Sequence, residues 1–208
     1  MVSNILGIDD HYLKWPEDTW GYTDLNNPDM VNAWLEIQEI VNPKKVIEIG
    51  MFAGHSSLLM MHVFKNLKSL HSYDPSDTSA LNYRQIKKYY PQHVFYNEPI
   101  WGKEYRHIDI DLIFVDGMHI HKYPIYDVES CLKIKPRYIL MDNLEVTGVK
   151  RATMSSDHHK IPLSSLYNVK FKPKYWFYTN TKYSQAHKCN MTSPGIMGLF
   201  KMEGNYDN

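Results

Sequence analysis

Val46-Ile47-Glu48-Ile49-Gly50-Met51-Phe52-Ala53-Gly54-His55-Ser56 reads as an apolar strand, a glycine turn and the opening of a helix. Glycine takes positive φ without strain and lets a backbone approach a ligand closely. A helix that starts just after such a turn aims unpaired N–H groups and the positive end of its dipole forward. A dinucleotide site would need Gly-x-Gly-x-x-Gly, and position 52 holds Phe52. Glu48 lies inside the apolar run, which is costly unless its carboxylate meets a donor. Turns of this kind are also common structural punctuation, so the reading depends on the strands around it.

Outward from the loop, strands and helices alternate. Asn27 and Pro28 cap and open a helix whose apolar face is Val31, Trp34, Leu35, Ile37 and Ile40, and Asn42-Pro43 ends it. Strands follow at Lys45–Ile49, Ser69–Tyr73, His93–Tyr96, Asp111–Val115 and Arg137–Met141, with helices at His55–Phe64, Ala80–Tyr89 and Tyr126–Ile134. This rhythm implies a parallel sheet with helices on both faces. The tail breaks it: Lys174–Thr179 and Ile196–Lys201 are strand-like and read as an antiparallel hairpin closing the sheet. Residues 1–27 lack periodicity, and read either as an extension draped over the core or as a lid on a pocket.

The chain has 208 residues, most simply one domain. Lys+Arg and Asp+Glu are balanced at 23 each, so no global field recruits nucleic acid or an anionic membrane. Cys131 and Cys189 form no metal or disulfide pattern, which fits a reducing compartment. With no apolar run of spanning length and no leader pattern, a cytoplasmic location is expected.

Acidic residues stand at successive strand ends: Asp74 after the second strand, Asp116 after the fourth, and Asp142-Asn143 after the fifth. Residues past the carboxyl ends of parallel strands line the ligand crevice. Asp74 is placed to accept hydrogen bonds from a ribose diol. Asp116, Asp142 and Asn143 together could hold a hard divalent cation such as Mg²⁺. The bland alternative is turn and cap chemistry for each. Asp127 reads as a local cap or pair. Adjacent His158 and His159 lack zinc-site spacing.

Glu48-Ile49-Gly50-x-x-x-Gly54-x-Ser56 followed by Tyr73-Asp74 resembles the first two motifs of class I S-adenosylmethionine-dependent methyltransferases. The resemblance covers roughly residues 30–201. It implies a Rossmann-like α/β fold: a seven-stranded, mostly parallel sheet with helices on both faces and an antiparallel C-terminal hairpin. It also implies that Glu48, Gly50, Met51, Gly54, Ser56 and Asp74 bind S-adenosylmethionine. Val115-Asp116-Gly117-Met118-His119 with Met141-Asp142-Asn143 is similar to metal-dependent O-methyltransferases of the catechol and macrolide-sugar groups. That resemblance makes Asp116, Asp142 and Asn143 ligands of Mg²⁺ and His119 the general base, with Asp116 also at the reaction centre. Catechol-type enzymes have a lysine near the position of His119, and the nearest one here is Lys122.

Methyl transfer from a sulfonium is an in-line displacement that needs a positioned, activated nucleophile. The expected reaction is metal-assisted O-methylation of a small hydroxylated acceptor, with neither nucleic acid nor membrane as partner and self-association left open. A non-catalytic or repurposed cofactor-binding relative, including a hydroxylase-like one, is the alternative. A nucleic-acid methyltransferase ranks lower, because Asp116-Gly117-Met118-His119 stands where base-methylating enzymes carry Asn/Asp-Pro-Pro-aromatic or Pro-Cys.

Overall fold

The computed structural model describes residues 7, 25, 27–117, 123–142, 175–179 and 195–202. Its elements are α1 (Pro28–Val41), β1 (Lys45–Ile49), α2 (His55–Val63), β2 (Ser69–Tyr73), α3 (Asp77–Tyr89), β3 (His93–Tyr96), β4 (Leu112–Val115), α4 (Tyr123–Ile134), β5 (Tyr138–Met141), β6 (Tyr175–Thr179) and β7 (Gly195–Lys201). They form one seven-stranded sheet in the order β3-β2-β1-β4-β5-β7-β6. Strands β1 to β5 run parallel, and β7 pairs antiparallel with both β5 and β6. The hairpin expected of the tail is therefore inserted with β7 inside and β6 at the edge.

Local chemistry explains the boundaries. The Asn27 side chain accepts the N–H groups of Asp29 and Met30 at 3.0 and 3.4 Å, which starts α1. Asn42 ends it in the left-handed region at φ 46°. Helix α3 begins three residues before its apolar periodicity does, because the Ser76 hydroxyl caps the Ser79 N–H at 3.2 Å. Leu35 is 40 % exposed, while Ala33, Gln38 and Val41 are buried. The stripe of α1 that faces the sheet is thus narrower than its run of apolar residues.

Alternation along the strands sorts side chains onto two faces. Val46, Leu70, Leu112, Phe114 and Leu140 pack with Trp34 of α1 and Leu58, Leu59 and Met60 of α2. Ile47, Ile49, Ile113, Val115 and Ile139 pack with Val128, Cys131 and Ile134 of α4. Glu48 has the parity of Val46 and points toward α2.

Between β3 and β4 the chain crosses the second face with one short 3₁₀ turn, Glu104–Arg106. His107 anchors this crossing by sharing a hydrogen bond of 2.6 Å with the Tyr73 hydroxyl. Burial, with help from His71 and Arg106, pushes the His107 imidazole down to about 4, so it is neutral there. Among the described residues, no helix is long and apolar enough to cross a membrane.

At the amino ends of the strands, Asp111 accepts the N–H groups of Lys44 and Lys45 at 2.8 and 3.1 Å, and Arg137 at 3.0 Å. Partial burial opposes the Asp111 charge, but these donors outweigh it and hold the carboxyl below its ordinary 3.8. Its stabilisation is therefore complete above the ordinary value and is lost as pH falls through the lowered folded one. Asp111→Ala should cost about 2 kcal/mol at neutral pH, read from urea midpoints. The deficit should shrink in strong acid, where wild type has also lost the charge; an equal deficit at both pH values would rule out this assignment.

Candidate functional site

In an open parallel sheet, the strand order reverses at one point, and the crevice opens there. Here that point lies between β1 and β4, with Gly50 and Asp116 on its two sides. Gly50 has φ 89°, and a Cβ on it would lie 2.1 Å from the Asp116 carbonyl oxygen. The Asp116 N–H donates to Ile49 O at 2.8 Å, and the Gly50 N–H to Tyr73 O at 2.9 Å. The loop is thus stitched to both neighbouring strands as it leaves β1.

Beyond Gly50 the turn closes through Gly54 N–H to Met51 O at 2.8 Å. Phe52 takes a positive φ of 45° within it, and its N–H donates to Asp74 Oδ2 at 2.8 Å. Asn82 of α3 donates to Ala53 O at 3.1 Å. Gly54 then opens α2 at φ 88° and offers no side-chain cap. A helix amino terminus favours an anionic group such as a carboxylate placed ahead of it. Asp74 is 8 % exposed, and its Oδ1 accepts the Ser76 N–H at 2.8 Å. Each carboxylate oxygen has capacity for a further donor, which suits a ribose diol.

Glu48 and Ser56, read from the sequence as cofactor-binding, are both buried and hydrogen-bonded to one another. The Glu48 carboxylate is 0 % exposed and accepts three hydroxyls at 2.5 Å: Ser56 on Oε1, Ser57 and Ser72 on Oε2. Burial pushes the carboxyl up to about 7 despite these three bonds, and the charge of Asp116 adds to the rise. Met51 is likewise buried, its side chain against the position of Gly54.

Asp116 and Asp142 stand side by side. Val115 and Met141 are in register, and the Asp142 N–H donates to Val115 O at 3.1 Å. Adjacent strands are spaced about 4.8 Å, so the backbones of Asp116 and Asp142 are neighbours where the two strands end. Both are partly exposed. Among the described residues, no three His, Cys, Asp or Glu side chains form a group that could hold a metal ion. The other expected members, Asn143 and His119, lie outside the described residues, as do Lys122, His158 and His159.

Sequence reasoning missed a second layer around the crevice. Asp127, 4 % exposed, reaches across the fold: its Oδ1 accepts the Trp101 indole N–H at 2.7 Å, across 26 positions. Its Oδ2 lies 2.9 Å from where a Cβ on Gly117 would sit. Trp101 stacks on Tyr123 at 5.4 Å, 9° from parallel, and so joins the β3–β4 crossing to the start of α4. Ser57, Ser72 and His93 were also missed. The register of Glu48 with Ser72 across β1 and β2 is the one signal that pointed to them.

No family model matches the sequence, and no curated protein matches it. Solved structures do. An O-methyltransferase from Bacillus cereus, in complex with SAH, superposes with a TM-score of 0.60 at 15 % identity, over 90 % of this chain and 84 % of that one. The N-methyltransferase NodS from Bradyrhizobium japonicum, in complex with S-adenosyl-L-homocysteine, gives 0.63 at 13 % identity, over 91 % and 94 %. Fibrillarin from Aeropyrum pernix, with natively bound S-adenosyl-L-methionine, gives 0.55 at 9 % identity, over 76 % and 66 %. The chain has the class I methyltransferase fold. The antiparallel C-terminal hairpin closes the sheet as the sequence motifs led one to expect.

Gly50→Ala tests the crevice geometry. The added methyl meets backbone, and the φ is one that alanine rarely adopts. The substitution should cost roughly 3 kcal/mol or more, or prevent folding. Gly102→Ala, also at positive φ (74°) but with nothing within 4 Å, should cost only about 1 kcal/mol. Equal losses at the two positions would rule out the close approach to Asp116.

Proposed function

We propose that this protein is an S-adenosylmethionine-dependent methyltransferase that methylates a hydroxyl of a small acceptor with help from a divalent cation. One observation carries the reading: the glycine loop and Asp74 lie on one side of the switch point, and paired Asp116 and Asp142 lie on the other. The known structures that share the fold include O- and N-methyltransferases. The Asp116 and Asp142 pair favours the hydroxyl acceptor, because carboxylates at adjacent strand ends suit a hard cation.

S-Adenosylmethionine supplies a methyl group on a positively charged sulfur, ready for displacement. A cation such as Mg²⁺ would supply Lewis acidity toward the acceptor oxygen. The chain does the rest. Asp74 accepts the ribose hydroxyls, and the loop from Gly50 to Gly54 with the start of α2 holds the methionine end. Asp116, Asp142 and Asn143 would hold the cation, whose Lewis acidity would act on the acceptor hydroxyl. His119 would take the acceptor's proton. The balanced charge of the chain favours a small-molecule acceptor over nucleic acid.

A labelled methyl donor assayed against a panel of small phenols, catechols and sugars tests the reading. Asp142→Ala should lower turnover on the order of 100-fold while leaving donor affinity and thermal stability near wild type. Chelator should reproduce that loss in wild type, and added Mg²⁺ should reverse it. Full turnover in chelator would remove the metal from the account. Absence of donor binding in calorimetry would remove the methyltransferase reading altogether.

A further inference from the structure

Beneath the glycine loop, a polar chain runs across three strands inside an otherwise apolar layer. Glu48 of β1 meets Ser72 of β2 at 2.5 Å, and Ser72 Oγ meets His93 Nε2 of β3 at 2.8 Å. Glu48, Ser72 and His93 are each 0 % exposed. Glu48 also takes the hydroxyls of Ser56 and Ser57 from the first turn of α2. His93 Nδ1 has no hydrogen-bond partner among the described residues.

We propose that Glu48, Ser72 and His93 share one proton beneath the glycine loop, and that its position sets how firmly the loop is held for its ligand. The inference rests on the loop being the S-adenosylmethionine site.

The donors and acceptors allow two arrangements. With Glu48 ionised, Ser72 donates to Oε2, so Ser72 must accept from His93 Nε2–H, and Nδ1 carries no proton. With Glu48 protonated, Oε2–H donates to Ser72, Ser72 donates to Nε2, and the ring proton is on Nδ1. The two states interconvert by a balanced relay. One proton enters at Nδ1 of the edge strand, the Nε2 proton moves to Ser72, and the hydroxyl proton of Ser72 moves to Glu48. His93 ends neutral in both states. Burial, with Lys87 and His71 adding to it, pushes its imidazole down to about 3, so it changes tautomer without gaining charge.

The arrangement reaches the loop through Oε2, which Ser57 and Ser72 share. Once Oε2 carries a proton it is a poorer acceptor, and the hold on the first turn of α2 through Ser57 weakens. Glu48 exchanges its proton in the neutral range, since burial places it at about 7. Asp116, from the end of β4, opposes its charge. From α2 the contacts to Glu48 are the hydroxyls of Ser56 and Ser57.

Nitrogen NMR of histidine-labelled full-length protein reads the tautomer directly. As pH rises through about 7, His93 should switch from Nδ1–H to Nε2–H. Over the same interval, calorimetric affinity for S-adenosylhomocysteine should rise by up to about tenfold per pH unit, the limit for one linked proton. In Glu48→Gln both changes should vanish, and comparison of the two proteins cancels any titration of the ligand itself. Ser72→Ala should leave the His93 tautomer independent of pH, and it keeps the readout available if Glu48→Gln does not fold. A wild-type His93 tautomer that stays constant overturns the proposal, as does an affinity that varies alike in wild type and Glu48→Gln. Failure of the ligand to bind at any pH overturns the loop's role instead, and the tautomer switch still decides the proton sharing.

Discussion

The ends of β1 and β4 meet at Gly50, where any side chain would run into the backbone of Asp116. That contact is the constraint on which the rest of the site depends. It brings the glycine loop on one strand and an acidic strand end on the next within reach of a single small ligand. It also requires a positive φ, and so reverses the chain sharply enough for α2 to begin within a few residues. Glycine is the residue type that meets both demands at no steric cost.

Around that contact, the polar groups are used in layers. The carboxylate of Glu48, buried in an apolar sheet, would be untenable without its three hydroxyl donors. Those donors come from β2 and α2, so solvating Glu48 also ties the helix to the sheet. Asp74 does the same work nearer the surface by holding the Phe52 N–H. On the other side, Asp127 bonds Trp101, and its carboxylate would crowd a side chain on Gly117. At the opposite end of the strands, Asp111 gathers β1, β4 and β5. The sheet is thereby tied at its amino ends by one carboxylate and shaped at its carboxyl ends by three.

Most of the architecture was legible because strand and helix periodicities are strong where both faces of a sheet are covered. Every strand named from the sequence is found within one residue of its expected span. Helix starts were less legible: Ser76 and Tyr123 open α3 and α4 ahead of the apolar pattern, because caps and prolines act before periodicity does. In the site, the strand ends bearing Asp74, Asp116 and Asp142 were read directly, since position along a strand decides them. The orientation of Glu48 followed from parity but was obscured by the motif it belongs to. Ser72, His93, Trp101 and Asp127 were invisible because their partners lie 21 or more positions away. Such contacts depend on register between strands, which local pattern does not encode.

The central claim is that one crevice, between Gly50 and Asp116, receives the methyl donor. A crystal structure of the protein with S-adenosylhomocysteine and Mg²⁺ tests it most directly. The account predicts ribose hydroxyls on Asp74, the amino-acid end against the loop from Gly50 to Gly54, and the cation joined to Asp116 and Asp142. Ligand density elsewhere on the molecule, or a cation that ignores both carboxylates, would contradict it.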